Sequence, residues 1–136
     1  MKLAISVSSG RVSSVFDFTH CLLLLECESG REVTRTEFAF QEDLPLNRAR
    51  RLEALGVQLL ICGSISRLIA EHLKNVGIDI IPLVSGSVDE VLRTYLRGDL
   101  GPTRFLMPGS TPKDREEWTI RRPPCEPAVT FTNKRS

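Results

Sequence analysis

The side chains best equipped for chemistry in this chain are four cysteines, Cys21, Cys27, Cys62 and Cys125, and two histidines, His20 and His72. Thiolate and imidazole are ligands for soft and borderline metals, and a thiolate is also a strong nucleophile. No two cysteines are spaced as Cys-x-x-Cys, which argues against a zinc ribbon and a dithiol redox centre. Cys62 has the most suggestive setting. The run from Val57 to Cys62 is too short for a helix and apolar enough for a buried strand. It breaks at Gly63-Ser64-Ile65-Ser66, where a helical pattern begins. Such a turn would gather a thiol, two hydroxyls and the unpaired N–H groups of a helix N-terminus, a place for an anion. Ligands of α/β sheets settle outside the carboxyl ends of strands. The competing reading is a well-capped turn over a buried structural cysteine, the common state of a free thiol.

Two further loops belong to the same argument. Ser85-Gly86-Ser87 precedes the capping box Ser87-Val88-Asp89-Glu90 and offers a second helix N-terminus. The stretch from Ser8 to Ser14 carries Arg11, which with Arg67 can supply positive charge. The expected site therefore comprises Cys62, Gly63, Ser64, Ser66, Ser85, Gly86, Ser87 and Arg11, with Cys62 and His20 as candidate metal ligands; the competing reading of His20 is a loop or surface histidine. His20 and Cys21 are adjacent, and strand spacing would send them to opposite faces, so at most one reaches a given pocket. Cys21 and Cys27 read as core, Cys125 as exposed, and His72 as a surface residue of a helix.

The elements that must position these groups follow from periodicity. Lys2–Val7 alternates as a first strand. Cys21–Glu28, apolar throughout from Leu22 to Leu25, is a second strand, and Ser29-Gly30 turns it into a third, Glu32–Phe40. Gln41–Pro45 is a loop. Leu46, Ala49, Leu52 and Leu55 make the stripe of a helix stopped by Gly56. The strand Val57–Cys62 leads into a helix capped by Ser64 or Ser66, with Ile65, Leu68, Ile69, Leu73 and Val76 toward the core. Ile78–Val84 is a further strand whose Pro82 places it at an edge or an end. Val88, Val91, Leu92, Tyr95 and Leu96 form one side of a third helix ending near Gly98. The order β-β-β-α-β-α-β-α predicts an α/β fold with a mixed five-stranded sheet and flanking helices.

Composition narrows the function. The 136 residues are 41% hydrophobic and 26% charged with a net charge of +1, which suits one soluble domain and gives no electrostatic case for nucleic acid or membrane. The opening residues do not read as a signal peptide, and the longest apolar run, Cys21–Leu25, cannot span a bilayer, so a cytoplasmic location is expected. Past residue 100 the pattern changes. Six of the eight prolines lie there, with seven basic and four acidic residues. Residues 101–136 read as an irregular, mildly basic extension in which Arg104–Pro108 docks and Trp118 is the one large apolar anchor.

The layout resembles the dinitrogenase iron–molybdenum cofactor-binding proteins. The resemblance is carried by Lys2-Leu3-Ala4-Ile5-Ser6-Val7, by Val15-Phe16-Asp17 with Leu22–Glu26, and by Leu55-Gly56-Val57 through Leu60-Ile61-Cys62-Gly63-Ser64-Ile65-Ser66. It continues in Val76-Gly77-Ile78, Val84–Val91 and Tyr95–Leu100, so it covers about residues 1–100. The resemblance implies a ribonuclease-H-like fold and non-catalytic binding of an iron- or molybdenum-containing metal–sulfur cluster during cofactor biosynthesis. It also implies a metallocluster donor or recipient protein as partner. The chain has too few cysteines to hold a conventional iron–sulfur cluster alone, so a cluster would be held through few ligands, by charge and shape.

Rival readings are narrowed by the residues. A two-metal nuclease needs clustered carboxylates, yet Ser6 and Ser8 stand on the first strand and Asp17 has no evident partner. A thiol enzyme built on Cys62 would need a nearby base, and only His20 and His72 are available. An anion- or small-molecule-binding or protein-interaction module of the same fold, without a cluster, remains the alternative. A homodimer through the third strand is left open.

Overall fold

The structure, a computed structural model, describes residues 1–40, 45–101 and 104–118. Its axis is β1 (Lys2–Ser8), in which Leu3, Ala4, Ile5, Ser6 and Val7 are all buried. A strand with apolar or small residues on both faces can sit only where layers cover both sides. β1 turns through Ser9 and Gly10, at φ 51° and 78°, into the two-residue β2 (Arg11–Val12), which folds back on it. Positive φ at both positions is what a two-residue hairpin with the native twist requires.

On one side, β1 pairs antiparallel with β3 (Cys21–Glu28), from Lys2 opposite Glu26 to Val7 opposite Cys21. Ser29-Gly30 then turns the chain into β4 (Arg31–Ala39), antiparallel to β3 at the sheet edge. On the other side, β1 pairs in parallel with β5 (Leu59–Ile61), and β5 with β6 (Asp79–Ile81). The order β4-β3-β1-β5-β6, with β2 on β1, is a mixed six-stranded sheet. Five strands were expected. The sixth is β2, whose two residues carry no periodicity of their own.

Both faces are covered. Ala4, Leu22, Leu60, Cys62 and Ile80 pack under α1 (Pro45–Ala54) and α2 (Arg67–Asn75), through Ala49 and Leu52 of the first and Ile69, Ala70 and Leu73 of the second. Leu3, Ile5, Leu23, Leu25, Leu59, Ile61 and Ile81 meet Val88, Val91 and Leu92 of α3 (Val88–Leu96) on the opposite face. Full burial of one such aliphatic side chain contributes about 1.5–3 kcal/mol. Leu68 corrects an expectation: it lies off the Ile69–Ala70–Leu73 stripe and is 69% exposed.

In the extension, Leu106 bridges to Val84, in line with the expected docking of Arg104–Pro108, whereas Pro112–Trp118 forms a helix, α4, where irregular chain was expected. Arg115 on α4 is buried. The expectations for Gln41–Pro45 (all but Pro45), Cys125 and the Trp118 side chain lie outside the described residues.

Candidate functional site

At the turn after β5, the groups expected to face outward are largely buried or engaged within the chain. Leu60 and Cys62 share a strand face, so the Cys62 thiol enters the core beneath α1 and α2 and is fully buried. Burial pushes the thiol pKa well above its ordinary range, and the Asp17 carboxylate nearby adds to the shift. This is a neutral, inaccessible thiol, not the exposed ligand expected of Cys62. The backbone N–H groups are likewise engaged. Cys62 donates to Ile81 O at 3.1 Å, Ser64 to Ser14 O at 2.8 Å, and Ser66 to Asp17 Oδ1 at 3.1 Å. The Ser66 hydroxyl caps α2 by accepting from Ile69 N–H. Gly63 is buried against the Ser13 and Ser14 carbonyls, with no room for a Cβ. The α2 N-terminus is thus occupied by an anion of the chain itself.

The second turn is closed in the same way. Ser85 N–H donates to Phe105 O at 2.7 Å, and the Phe105 ring fills the space where a Cβ of Gly86 would stand. Ser87 Oγ accepts from Glu90 N–H, while Val88 N–H donates to Gly10 O. Ser64, by contrast, lines a small cavity of about 230 Å³ with Ile65, Pro82, Leu83, Ser110 and Asp114.

What opens outward is the loop after β1. One cavity, of about 260 Å³, is lined by Val7, Ser8, Ser9, Gly10, Ser13, Phe18, Thr19, His20, Cys21 and Glu37. A second, of about 340 Å³, is lined by Ser8, Arg11, Val12, Ser13, Ser14, Val15 and Phe18. They share Ser8, Ser13 and Phe18, and Phe18 is 73% exposed between them. Together they reach the size of ordinary ligand pockets, about 300–1,000 Å³.

His20 and Cys21 both line the first cavity, against the expectation that only one could. The opposite-face rule applies within a strand, and His20 lies just before β3 begins at Cys21. Cys21, expected in the core, is partly exposed. Thr19 lines the same cavity but is only 2% exposed, and its carbonyl accepts from Arg48 Nε at 2.7 Å, which ties this segment to α1. Of the expected site residues, Arg11 and His20 belong to these cavities. Ser8 and Ser13 lie in the Ser8–Ser14 loop already expected at the site, Cys21 was expected in the core, and Thr19 and Glu37 were missed. The signal that could have found them was the Ser9-Gly10 turn, which folds the loop back against the start of β3.

The family model described as dinitrogenase iron-molybdenum cofactor matches residues 1–98. The chain belongs to this family. A cofactor-related role comes with that membership, and the matched region includes both cavities. No curated protein matches the sequence. Among solved structures, PH0822 superposes with a TM-score of 0.69 at 17% identity, covering 72% of this chain and 90% of that one. The mj0327 protein of Methanocaldococcus jannaschii gives a TM-score of 0.63 at 19% identity, covering 73% and 90%. The apo form of the orange protein from Desulfovibrio gigas gives 0.63 at 16%, covering 72% and 88%. At these identities the likeness establishes a shared fold. Among the described residues, no group of three His, Cys, Asp or Glu side chains could hold a single metal ion, and no helix is long and apolar enough to cross a membrane.

Proposed function

We propose that this chain is a non-enzymatic cytoplasmic carrier of an iron- or molybdenum-containing metal–sulfur cluster, taken from a donor protein and passed to a recipient. The cluster is cargo, held in the paired cavities between the Ser8–Ser14 loop and the start of β3. The observation that carries the reading is the meeting of His20 and Cys21 on one cavity, within the region matched by the family. Imidazole and thiolate are suitable ligands for such metals. Arg11 supplies positive charge from the adjoining cavity for an anionic cluster, and Phe18 offers an apolar surface. Two protein ligands are few, which favours transfer over permanent retention. Cys62 has no part in this holding, because its thiol would have to leave the core and ionise.

The reading carries a ribonuclease-H-like description of the fold. It is supported by a central first strand with antiparallel neighbours on one side, parallel neighbours on the other, and helices over both faces. Metal analysis and a visible spectrum of anaerobically purified protein test the proposal. Bound iron or molybdenum with charge-transfer absorption is expected. A colourless protein that also takes up no supplied cluster overturns it.

A further inference from the structure

Arg115 is the largest fully buried side chain described, and it belongs to the extension beyond the region the family model matches. Its guanidinium grips two parts of the chain at once. On the body, Nε donates to Pro82 O at 3.1 Å and Nη2 to Leu83 O at 2.9 Å. On the extension, Nη1 donates to the Gly101 and Arg104 carbonyls and Nη2 to Phe105 O at 3.0 Å. Leu83 and Phe105, whose carbonyls are held, both have positive φ, 61° and 55°. Such a backbone costs of order 1–3 kcal/mol per residue and persists only where surrounding contacts enforce it.

The segment gripped in this way reaches a wall of the proposed cargo cavity through one intervening turn. Phe105 takes the Ser85 N–H with its carbonyl and covers Gly86 with its ring. Gly86 O in turn accepts Val12 N–H at 2.9 Å, and Ser87 bridges to Arg11. Arg11 and Val12 line the second cavity. A continuous line of contacts therefore runs from Arg115 through Phe105 and the Ser85–Ser87 turn to the cavity wall.

We propose that Arg104–Arg115 is a strap latched by Arg115, and that its state is transmitted through Gly86 to the Arg11–Val12 wall. Latched, the strap holds the wall in its closed geometry. Released, it lets the wall loosen. If the chain is a carrier, as proposed above, release of the strap speeds loss of the cargo; this last step alone rests on that reading.

Hydrogen exchange on the full chain tests the latch without any ligand. Arg115→Met is expected to lower protection of the Ser85 and Met107 amides roughly tenfold or more, and that of Val12 and Val88 with them, a change of about 1.4 kcal/mol or more in local opening. Amides of β3 that pair with β1 should keep their protection. Phe105→Ala, which removes the ring from Gly86 and leaves Arg115 in place, is expected to loosen Val12 while Met107 stays protected. Loss confined to the strap, with Val12 and Val88 unchanged in both variants, overturns the transmission. Equal loss across β3 in Arg115→Met overturns the latch and makes Arg115 a general stabiliser. The cargo arm uses tetrathiomolybdate, which should dissociate faster from Arg115→Met than from wild type. If the wild type binds none, carriage fails and the exchange pattern still decides the latch.

Discussion

The Asp17 carboxylate accepts a hydrogen bond from the Ser66 backbone N–H at 3.1 Å, so the first free donor of α2 is satisfied by an anion the chain carries itself. An external anion at this helix end would have to displace a tethered carboxylate. The pairing also fixes the short 3-10 turn Phe16–Phe18 against the α2 N-terminus, and so helps orient the segment that ends in Thr19, His20 and Cys21. Asp17→Ala is expected to cost about 1 kcal/mol of stability, the usual scale for a lost helix N-cap. Urea unfolding of the two proteins checks it. An unchanged midpoint would mean that the α2 terminus does not need the carboxylate.

Gly63 is held against the Ser13 and Ser14 carbonyls so closely that a methyl group cannot be accommodated without moving backbone. Gly63→Ala should therefore destabilise the protein by about 1–3 kcal/mol, as overpacking does elsewhere. Gly98→Ala is a useful contrast. Gly98 has open space around its Cβ position, and its penalty comes from φ 79° alone. Thermal unfolding that shifts less for Gly63→Ala than for Gly98→Ala would contradict the close packing.

Much of this architecture was legible in the sequence, for identifiable reasons. The apolar run Leu22–Leu25 bounded by Ser29-Gly30 marked β3 to its residue limits, and Ser87 with Glu90 marked the start of α3. The direction of Cys62 was also recoverable, because strand parity puts it on the face of Leu60 and Ala4. The attraction of a Cys-Gly-Ser turn obscured that parity. Arg115 was not legible. In a proline-rich stretch an arginine reads as solvated, and only the meeting of five carbonyls from separate segments makes its burial tolerable. The cavity was only partly legible for a related reason: the Ser8–Ser14 loop was expected at the site, but its folding back beside β3 is a contact between residues with no shared period.

The buried Cys62 thiol makes stability pH-dependent on the alkaline side. Its folded pKa is raised by burial, whereas an unfolded thiol ionises near pH 8.5. Below that pH both states bind the proton and the thiol contributes no slope. Above it the unfolded state loses the proton first, so stability falls as pH rises, by up to about 1.4 kcal/mol per pH unit for one thiol. Cys27, also raised by burial, adds in the same direction. Denaturant unfolding between pH 8 and pH 10 should show a shallower decline for Cys62→Ala than for the wild type. Parallel declines would mean that Cys62 is not buried as described.

Glu37 is the acidic side chain on the rim of the His20–Cys21 cavity. An anionic cargo there is opposed by its charge, so Glu37→Gln should bind tetrathiomolybdate more tightly than the wild type, with the larger difference at low salt. Titrations at two ionic strengths read the effect. Weaker binding by the variant would indicate that Glu37 holds the ligand or its metal directly.

On the proposed function, cargo is held at His20 and Cys21 and not at Cys62. Anaerobic tetrathiomolybdate titration of wild type, a His20→Ala/Cys21→Ser double variant and Cys62→Ala tests it most directly. Binding is expected to weaken roughly tenfold or more in the double variant, the scale of a lost metal-site contact, and to stay near wild type in Cys62→Ala. Retained binding in the double variant together with its loss in Cys62→Ala would contradict the account and return the site to the turn after β5.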